Sequence, residues 1–202
     1  LKFKFKMLNS IFIIVAFFSA LFGLLSDLGI NDIGPIHSKV NYIYSFLTIM
    51  LNFFLRSSKE NYTLSVHSLL IISLLTFTSA LVFVPQDEFR MIWFYLLIFV
   101  AYMVSGKRSG IVYTLASIFI ILSVNLSVDL QLSQEAIMSG FLGLIIGSFL
   151  SHVYTSKITN YEEDLKKQNS SLSLLASTDY LTGIMNRRMF NEISEHYFLT
   201  DQ

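Results

Sequence analysis

Cysteine is absent from the sequence, which excludes a disulfide frame, a thiol nucleophile and any cysteine-held metal cluster. Charge is scarce. Asp, Glu, Lys and Arg make up 14% of the chain, against roughly 25% in an average soluble domain. A water-soluble fold of 202 residues needs more charged surface than that. The formal net charge is zero, so there is no basic footprint for nucleic acid. No repeat of fixed period and no long low-complexity linker occurs, so short loops and a compact bundle are expected. The first residue is Leu and the last segment stops inside a motif. The chain is therefore expected to be a piece cut at both ends, with Met7 as an alternative start.

What the chain has in abundance is hydrocarbon: 53% of residues are hydrophobic, with 19 Phe and 10 Tyr. A helix that crosses the ~30 Å apolar layer of a bilayer needs about 20 apolar residues. Six apolar runs predict an all-α membrane bundle with spans at about 7–26, 40–55, 63–84, 90–105, 110–128 and 136–155. The second and fourth are short. Tyr42 and Tyr44 in one, and Trp93, Tyr95 and Tyr102 in the other, extend them with rings that favour the membrane interface. The plainer alternative for these two is a re-entrant or buried segment.

Basic residues are distributed unevenly about these runs. Lys2, Lys4 and Lys6 precede the first, and Arg56 and Lys59 separate the second from the third. Lys107 and Arg108 separate the fourth from the fifth, and Lys157, Lys166 and Lys167 follow the sixth. The opposite loops hold only Lys39 and Arg90, among Asp27, Asp32, Asp87, Glu88, Asp129 and Glu135. Lys and Arg accumulate on the cytoplasmic side. Both termini are thus expected in the cytoplasm, with the chain in the inner (cytoplasmic) membrane of a bacterial cell. The first run exceeds the roughly 7–15 residue core of a signal peptide and reads as a retained anchor.

No Asp, Glu, Lys or Arg lies deep inside the runs. Ion and proton carriers keep such groups at depth, so the pattern argues against them and leaves a six-span carrier or channel for a neutral solute as an alternative. Asn52 and Asn125 are residues of the kind that bond a neighbouring helix. His67 and His152 both fall near the predicted cytoplasmic side, where paired histidines can hold a haem. The plainer reading is two interfacial histidines bonded to water or backbone. Neither has a carboxylate nearby in sequence to orient it. Gly29, Gly34 and Pro35 mark a folded outer loop from Asp27 to Lys39, placed to cover the mouth of the bundle.

The sixth run carries Ser139, Gly143, Gly147 and Ser151, each four residues from the last. Small residues at that spacing let another backbone approach, either within the bundle or in a second copy. From Ser148 to Thr182 there is no Gly or Pro, so the helix is expected to run on. Ile158, Tyr161, Leu165, Gln168, Leu172 and Leu175 then alternate at three and four residues, the a/d seam of a parallel coiled coil. Glu162 with Lys166, and Glu163 with Lys167, are favourably oriented pairs along the same helix. An amphipathic helix resting on its own protein is the plainer alternative.

Next comes Ser177-Thr-Asp-Tyr-Leu-Thr-Gly-Ile-Met-Asn-Arg-Arg-Met-Phe190. Thr182-Gly183 breaks the rod. Asn186 is suited to cap a new helix whose Met189, Phe190 and Ile193 face a core. Arg187 and Arg188 then sit in a first turn that disfavours cations, with Asp179 the nearest acidic partner. The string closely resembles the opening motif of the GGDEF family of diguanylate cyclases, D-x-L-T-G-L-x-N-R-R-x-F after a signalling helix. Asp179, Leu181, Thr182, Gly183, Asn186, Arg187, Arg188 and Phe190 match, and Ile184 replaces the usual Leu.

The resemblance covers about residues 176–202 and implies an organisation. Residues 1–156 would form a six-span sensor, 157–176 a coiled-coil signalling helix, and 177–202 the start of a truncated α/β GGDEF domain. It implies a homodimeric parent enzyme that condenses two GTP into cyclic di-GMP with magnesium. The family's magnesium ligands, guanine-binding residues and signature loop lie downstream of the motif. No catalytic, cofactor-binding or metal residue is therefore assigned here, and these 202 residues alone are expected to be inactive. The partners expected of this chain are membrane lipid and a second copy, with GTP only for the full-length protein. A hydrophobic small molecule, a lipid property or a periplasmic ligand are all open as the signal.

Overall fold

The computed structural model describes residues 2–128 and 130–177, together with Ile184 and Phe190. These form α1 (Lys2–Asp27), α2 (Pro35–Ser57), α3 (Tyr62–Phe83), α4 (Ile92–Ser105), α5 (Lys107–Ser127) and α6 (Gln134–Ser177). Single 3-10 turns stand at Lys59–Asn61 and Glu88–Met91, and no strand occurs among the described residues. The chain divides into two compact units, Leu1–Thr155 and Ser156–Gln202.

Local chemistry sets the breaks. After Asp27 the chain turns through Gly29 at φ 71°, a left-handed conformation that glycine adopts without strain. The Gly29 amide donates to Ser26 O (2.9 Å) and the Ile30 amide to Leu25 O (2.9 Å), which closes the carbonyls at the end of α1 in a Schellman motif. Asp32 Oδ1 accepts from the Gly34 amide at 3.0 Å, and Pro35 then opens α2 with its φ already helical. Gly106, at φ 89°, serves as both the end of α4 and the start of α5.

Five helical stretches are long and apolar enough to cross a membrane: Phe3–Asp27, Lys59–Phe83, Glu88–Ser105, Lys107–Ser127 and Gln134–Ser173. Helix α2, which holds the expected span 40–55, is not among them. Its 23 residues suffice in length, but a full stripe of it is polar. Ser38, Asn41, Ser45, Thr48 and Asn52 are buried, whereas Ile43, Phe46, Ile49, Met50 and Phe53 are exposed. That is the reverse of an amphipathic helix in water, where the apolar stripe turns inward. α2 packs chiefly against α1 and α3, and α4 against α5.

Polar ties hold this interior together, as expected where lipid supplies no hydrophobic drive between helices. Ser45 Oγ donates to Ala16 O (2.8 Å), Tyr44 shares a hydrogen bond with Ser73 Oγ (2.6 Å), and Tyr62 OH donates to Val104 O (2.8 Å). Asn52 Nδ2 donates to Asn9 O at 3.2 Å, the bond to a neighbouring helix expected of such an asparagine. Ser148 of α6 bonds both Tyr102 OH (3.1 Å) of α4 and Thr114 Oγ1 (2.9 Å) of α5.

Arg90 stands in the connection between α3 and α4, as expected, but it is buried there. It is 1% exposed. Nε donates to Leu81 O (3.1 Å), and Nη1 to Pro85 O (2.8 Å) and Asp87 O (2.7 Å), while Nη2 reaches Leu130 O. The guanidinium thus closes the end of α3 and ties the α3–α4 connection to the α5–α6 connection.

Candidate functional site

A cavity of about 750 Å³ lies among α1, α2, α3 and α4. Its walls follow the helix periods. Ile11, Ile14, Val15, Phe18, Ser19 and Phe22 recur along one face of α1. From Ile11 to Phe22 that face is about 16 Å long, at ~1.5 Å per residue. The floor is hydrocarbon from Leu69, Leu70, Leu97 and Val100. An aromatic wall stands above it: Trp93 is stacked on Phe77 (centroids 5.9 Å apart, 28° between planes) and meets Phe22 edge-on (5.6 Å, 88°).

The polar groups gather toward one end. Asn31, Asp32 and Ile33 of the α1–α2 connection and Gln86 and Asp87 of the α3–α4 connection form the mouth. Gln86 Nε2 donates to Asp32 O at 2.5 Å, which joins the two connections. The loop expected from Asp27 to Lys39 is shorter, because α1 ends at Asp27 and α2 begins at Pro35; Asp27 anchors the start of α2 through Ser38 Oγ (3.0 Å) and Tyr42 OH (2.8 Å).

His37 and Asn41 also line the cavity and are 7% and 8% exposed. His37 Nδ1 bonds Ser79 Oγ at 3.1 Å, and Asn41 Nδ2 donates to His37 O at 3.2 Å. Among the described residues, His37 Nε2 and Asn41 Oδ1 have no hydrogen-bond partner. His37 stands three residues ahead of the apolar run that begins at Val40. Burial pushes its imidazole down from 6.5 to about 4, so the ring is neutral at physiological pH. The cavity is thus a mostly apolar pocket of ligand size, with a few convergent polar groups.

The residues singled out in the sequence fall elsewhere. His67 lies against Tyr113, stacked at 6.2 Å with Nδ1 3.3 Å from its hydroxyl, and His152 meets Tyr102 edge-on at 5.9 Å. Each histidine is engaged with a different tyrosine. The small residues of α6 meet Met91 and Tyr95, and a Cβ on Gly140 would stand 2.5 Å from Met91 Sδ. Tyr95 OH donates to Gly140 O (2.6 Å), and a Cβ on Gly143 would stand 2.7 Å from the same hydroxyl oxygen. Gly147 has room, its nearest neighbour being Tyr95 Cδ1 at 4.0 Å. Ser139 is exposed and Ser151 buried. Ile158, Tyr161, Leu165 and Leu172 are exposed, and Leu175 is helical. Of the motif, Asp179, Leu181, Thr182, Gly183, Asn186, Arg187 and Arg188 lie outside the described residues, as does the start of any α/β domain; Phe190 is helical.

The cavity is the site that sequence reasoning missed. The sequence does carry a polar stripe on α2, and His37, Asn41 and Tyr44 of that stripe line the cavity. The described residues form an all-helical bundle of membrane character with a pocket of ligand size among α1–α4. Comparison with protein-family models gives no match, and comparisons with curated proteins and with solved structures give none either.

Proposed function

We propose that this chain is the membrane sensor portion of a homodimeric diguanylate cyclase, with residues 177–202 opening the GTP-condensing domain. The observation that carries the reading is the continuity of α6. One helix of 44 residues begins against α4 and α5 at Gly140 and Ser148 and continues to Ser177, two residues before the Asp179-x-Leu-Thr-Gly string. Two copies of such a helix, paired along Ile158, Tyr161, Leu165 and Leu172, bring two catalytic heads together. Synthesis of cyclic di-GMP needs that encounter, because each head supplies one GTP. The family's magnesium ligands lie downstream of the motif, so no metal step is assigned to residues of this chain. In this reading six helices span the inner membrane, α2 among them because α1 and α3 cover its polar stripe. Both termini are cytoplasmic, and the loop between α1 and α2 faces outward.

The test is a chimera. Residues 1–176 are joined to an active cyclase catalytic domain, and cyclic di-GMP is measured in membrane vesicles supplied with GTP and magnesium. Synthesis is expected, at a rate above that of the monomeric domain. A silent chimera, when the same domain dimerised by a leucine zipper is active, overturns the reading. So does a reporter fused after Gln202 that reads as extracellular, since GTP would then be out of reach.

A further inference from the structure

Besides its polar mouth, the cavity among α1–α4 has an apolar flank. Ile14 (54% exposed) and Phe18 (50%) of α1 and Leu96 (48%) of α4 line it and are also exposed on the outside. The flank where these three residues stand is thus apolar and exposed. A water-soluble ligand has no reason to enter there, whereas a molecule dissolved in the membrane does.

The interior supplies a second constraint. Asn41 Oδ1 is an acceptor in a residue more than nine-tenths buried, and it has no partner among the described residues. At the mouth, Asp32 and Asp87 each commit one carboxylate oxygen to a loop amide, Gly34 N at 3.0 Å and Phe89 N at 2.9 Å, and retain the other. No Lys or Arg lines the cavity, and the buried His37 is neutral. The polar end is thus rich in acceptors and holds no cation to meet an anion.

We propose that this cavity binds a single-chain amphiphile from the lipid phase, its tail between Phe18, Phe77 and Leu97 and its non-anionic, hydrogen-bond-donating head at Asn41, Asp32 and Asp87. As a binding site it stands on the cavity alone; as the signal that α6 transmits, it rests on the sensor reading.

Trp93, the chain's single tryptophan, lines the cavity and reports on occupancy. The protein is placed in phosphatidylcholine nanodiscs and titrated with dodecylamine, dodecanol and dodecanoate, each brominated in mid-chain. Saturable quenching by amine and alcohol is expected, with dodecanoate at least about tenfold weaker because it leaves the acceptors unpaired. Unbrominated dodecylamine should restore the emission. Thr76→Phe, which puts a ring into the cavity, should weaken the saturable component, and Asn41→Leu should narrow the preference over dodecanoate. Quenching that rises linearly and is not reversed by unbrominated amine in the wild-type chain reports bilayer partitioning only, and overturns the site. So does dodecanoate binding as tightly as the amine. Saturable binding beside a chimera whose cyclic di-GMP output ignores dodecylamine keeps the site and counts against the sensor reading alone.

Discussion

Tyr95 of α4 holds α6 by reaching over Gly143 to donate a hydrogen bond to Gly140 O at 2.6 Å. The missing side chain at Gly143 is what admits the ring. A methyl there would stand 2.7 Å from the hydroxyl oxygen and 3.1 Å from Cζ. The hydroxyl is the far end of its side chain and can retreat, at the cost of its hydrogen bond. Gly143→Ala is therefore expected to lower stability by about 1 kcal/mol. Gly110 is a harder case, because its added Cβ would meet the root of the Tyr102 ring at 2.4 Å, and Tyr102 is 2% exposed and fixed to Ser148. Gly110→Ala is expected to cost about 1–3 kcal/mol by overpacking, and Gly147→Ala close to nothing. Thermal melts of the three variants in one detergent check the order Gly110, Gly143, Gly147.

Arg90 makes a sharper demand. Its guanidinium satisfies four backbone carbonyls, from Leu81, Pro85, Asp87 and Leu130. Arg90→Met keeps much of the volume and orphans those acceptors in a buried place. A loss of at least about 2 kcal/mol is expected. Arg90→Lys should recover only part of it, since one ammonium lacks the planar fork that reaches several carbonyls at once. Unfolding midpoints of the wild type and both variants measure this. A Met variant as stable as the wild type removes Arg90 as the tie between the two connections.

Much of this architecture could be read in the sequence because membrane helices announce themselves by length and apolarity alone. The apolar runs, the absence of Gly and Pro through the outer part of α6, and the turn at Gly29-to-Pro35 each map onto an element. What could not be read is which side of each helix faces in. In lipid both faces tolerate Leu and Phe, so hydrophobic periodicity carries little information, and the inward face is marked instead by small and polar residues. That is why α2 looked only like a short span, when its polar stripe in fact lines the bundle. Arg90 was counted as a loop charge for a related reason: nothing local in Glu88-Phe89-Arg90 says that Leu130, forty residues on, will supply an acceptor. The cavity depends on four helices leaving space between them, and no spacing along the chain encodes that.

His37 gives a pH dependence whose sign can be worked out. Its imidazole is held near 4 in the folded protein and titrates near 6.5 when unfolded. Between those values the unfolded chain binds more protons than the folded one, so stability is full above about 6.5 and falls as pH drops toward 4. Asp32 and Asp87 line the same cavity, and both are present in the wild type and in His37→Gln, so the difference between the two proteins isolates the imidazole. Melting temperatures of both are compared from neutral pH down to about pH 4.5. The wild type is expected to lose more on acidification than the variant. Parallel losses would show that the ring is not held neutral by burial.

The exposed stripe of α6 yields the test of assembly. Ile158, Tyr161, Leu165 and Leu172 are 41%, 64%, 58% and 63% exposed in a single copy. Burying them against a second copy is worth roughly 25 cal/mol per Å² of apolar surface removed from water. Gln168 sits on the same seam, and the chain has no native cysteine, so Gln168→Cys places a unique thiol there. In membranes this variant is expected to cross-link efficiently under mild oxidation. Adding Leu165→Asp and Leu172→Asp puts two carboxylates from each copy onto a seam that packs only if apolar, and should abolish the cross-link. If the thiol fails to cross-link in the otherwise native chain, or if the two aspartates leave the yield unchanged, the helices are not paired along this face. The proposed route by which two catalytic heads meet would then be lost.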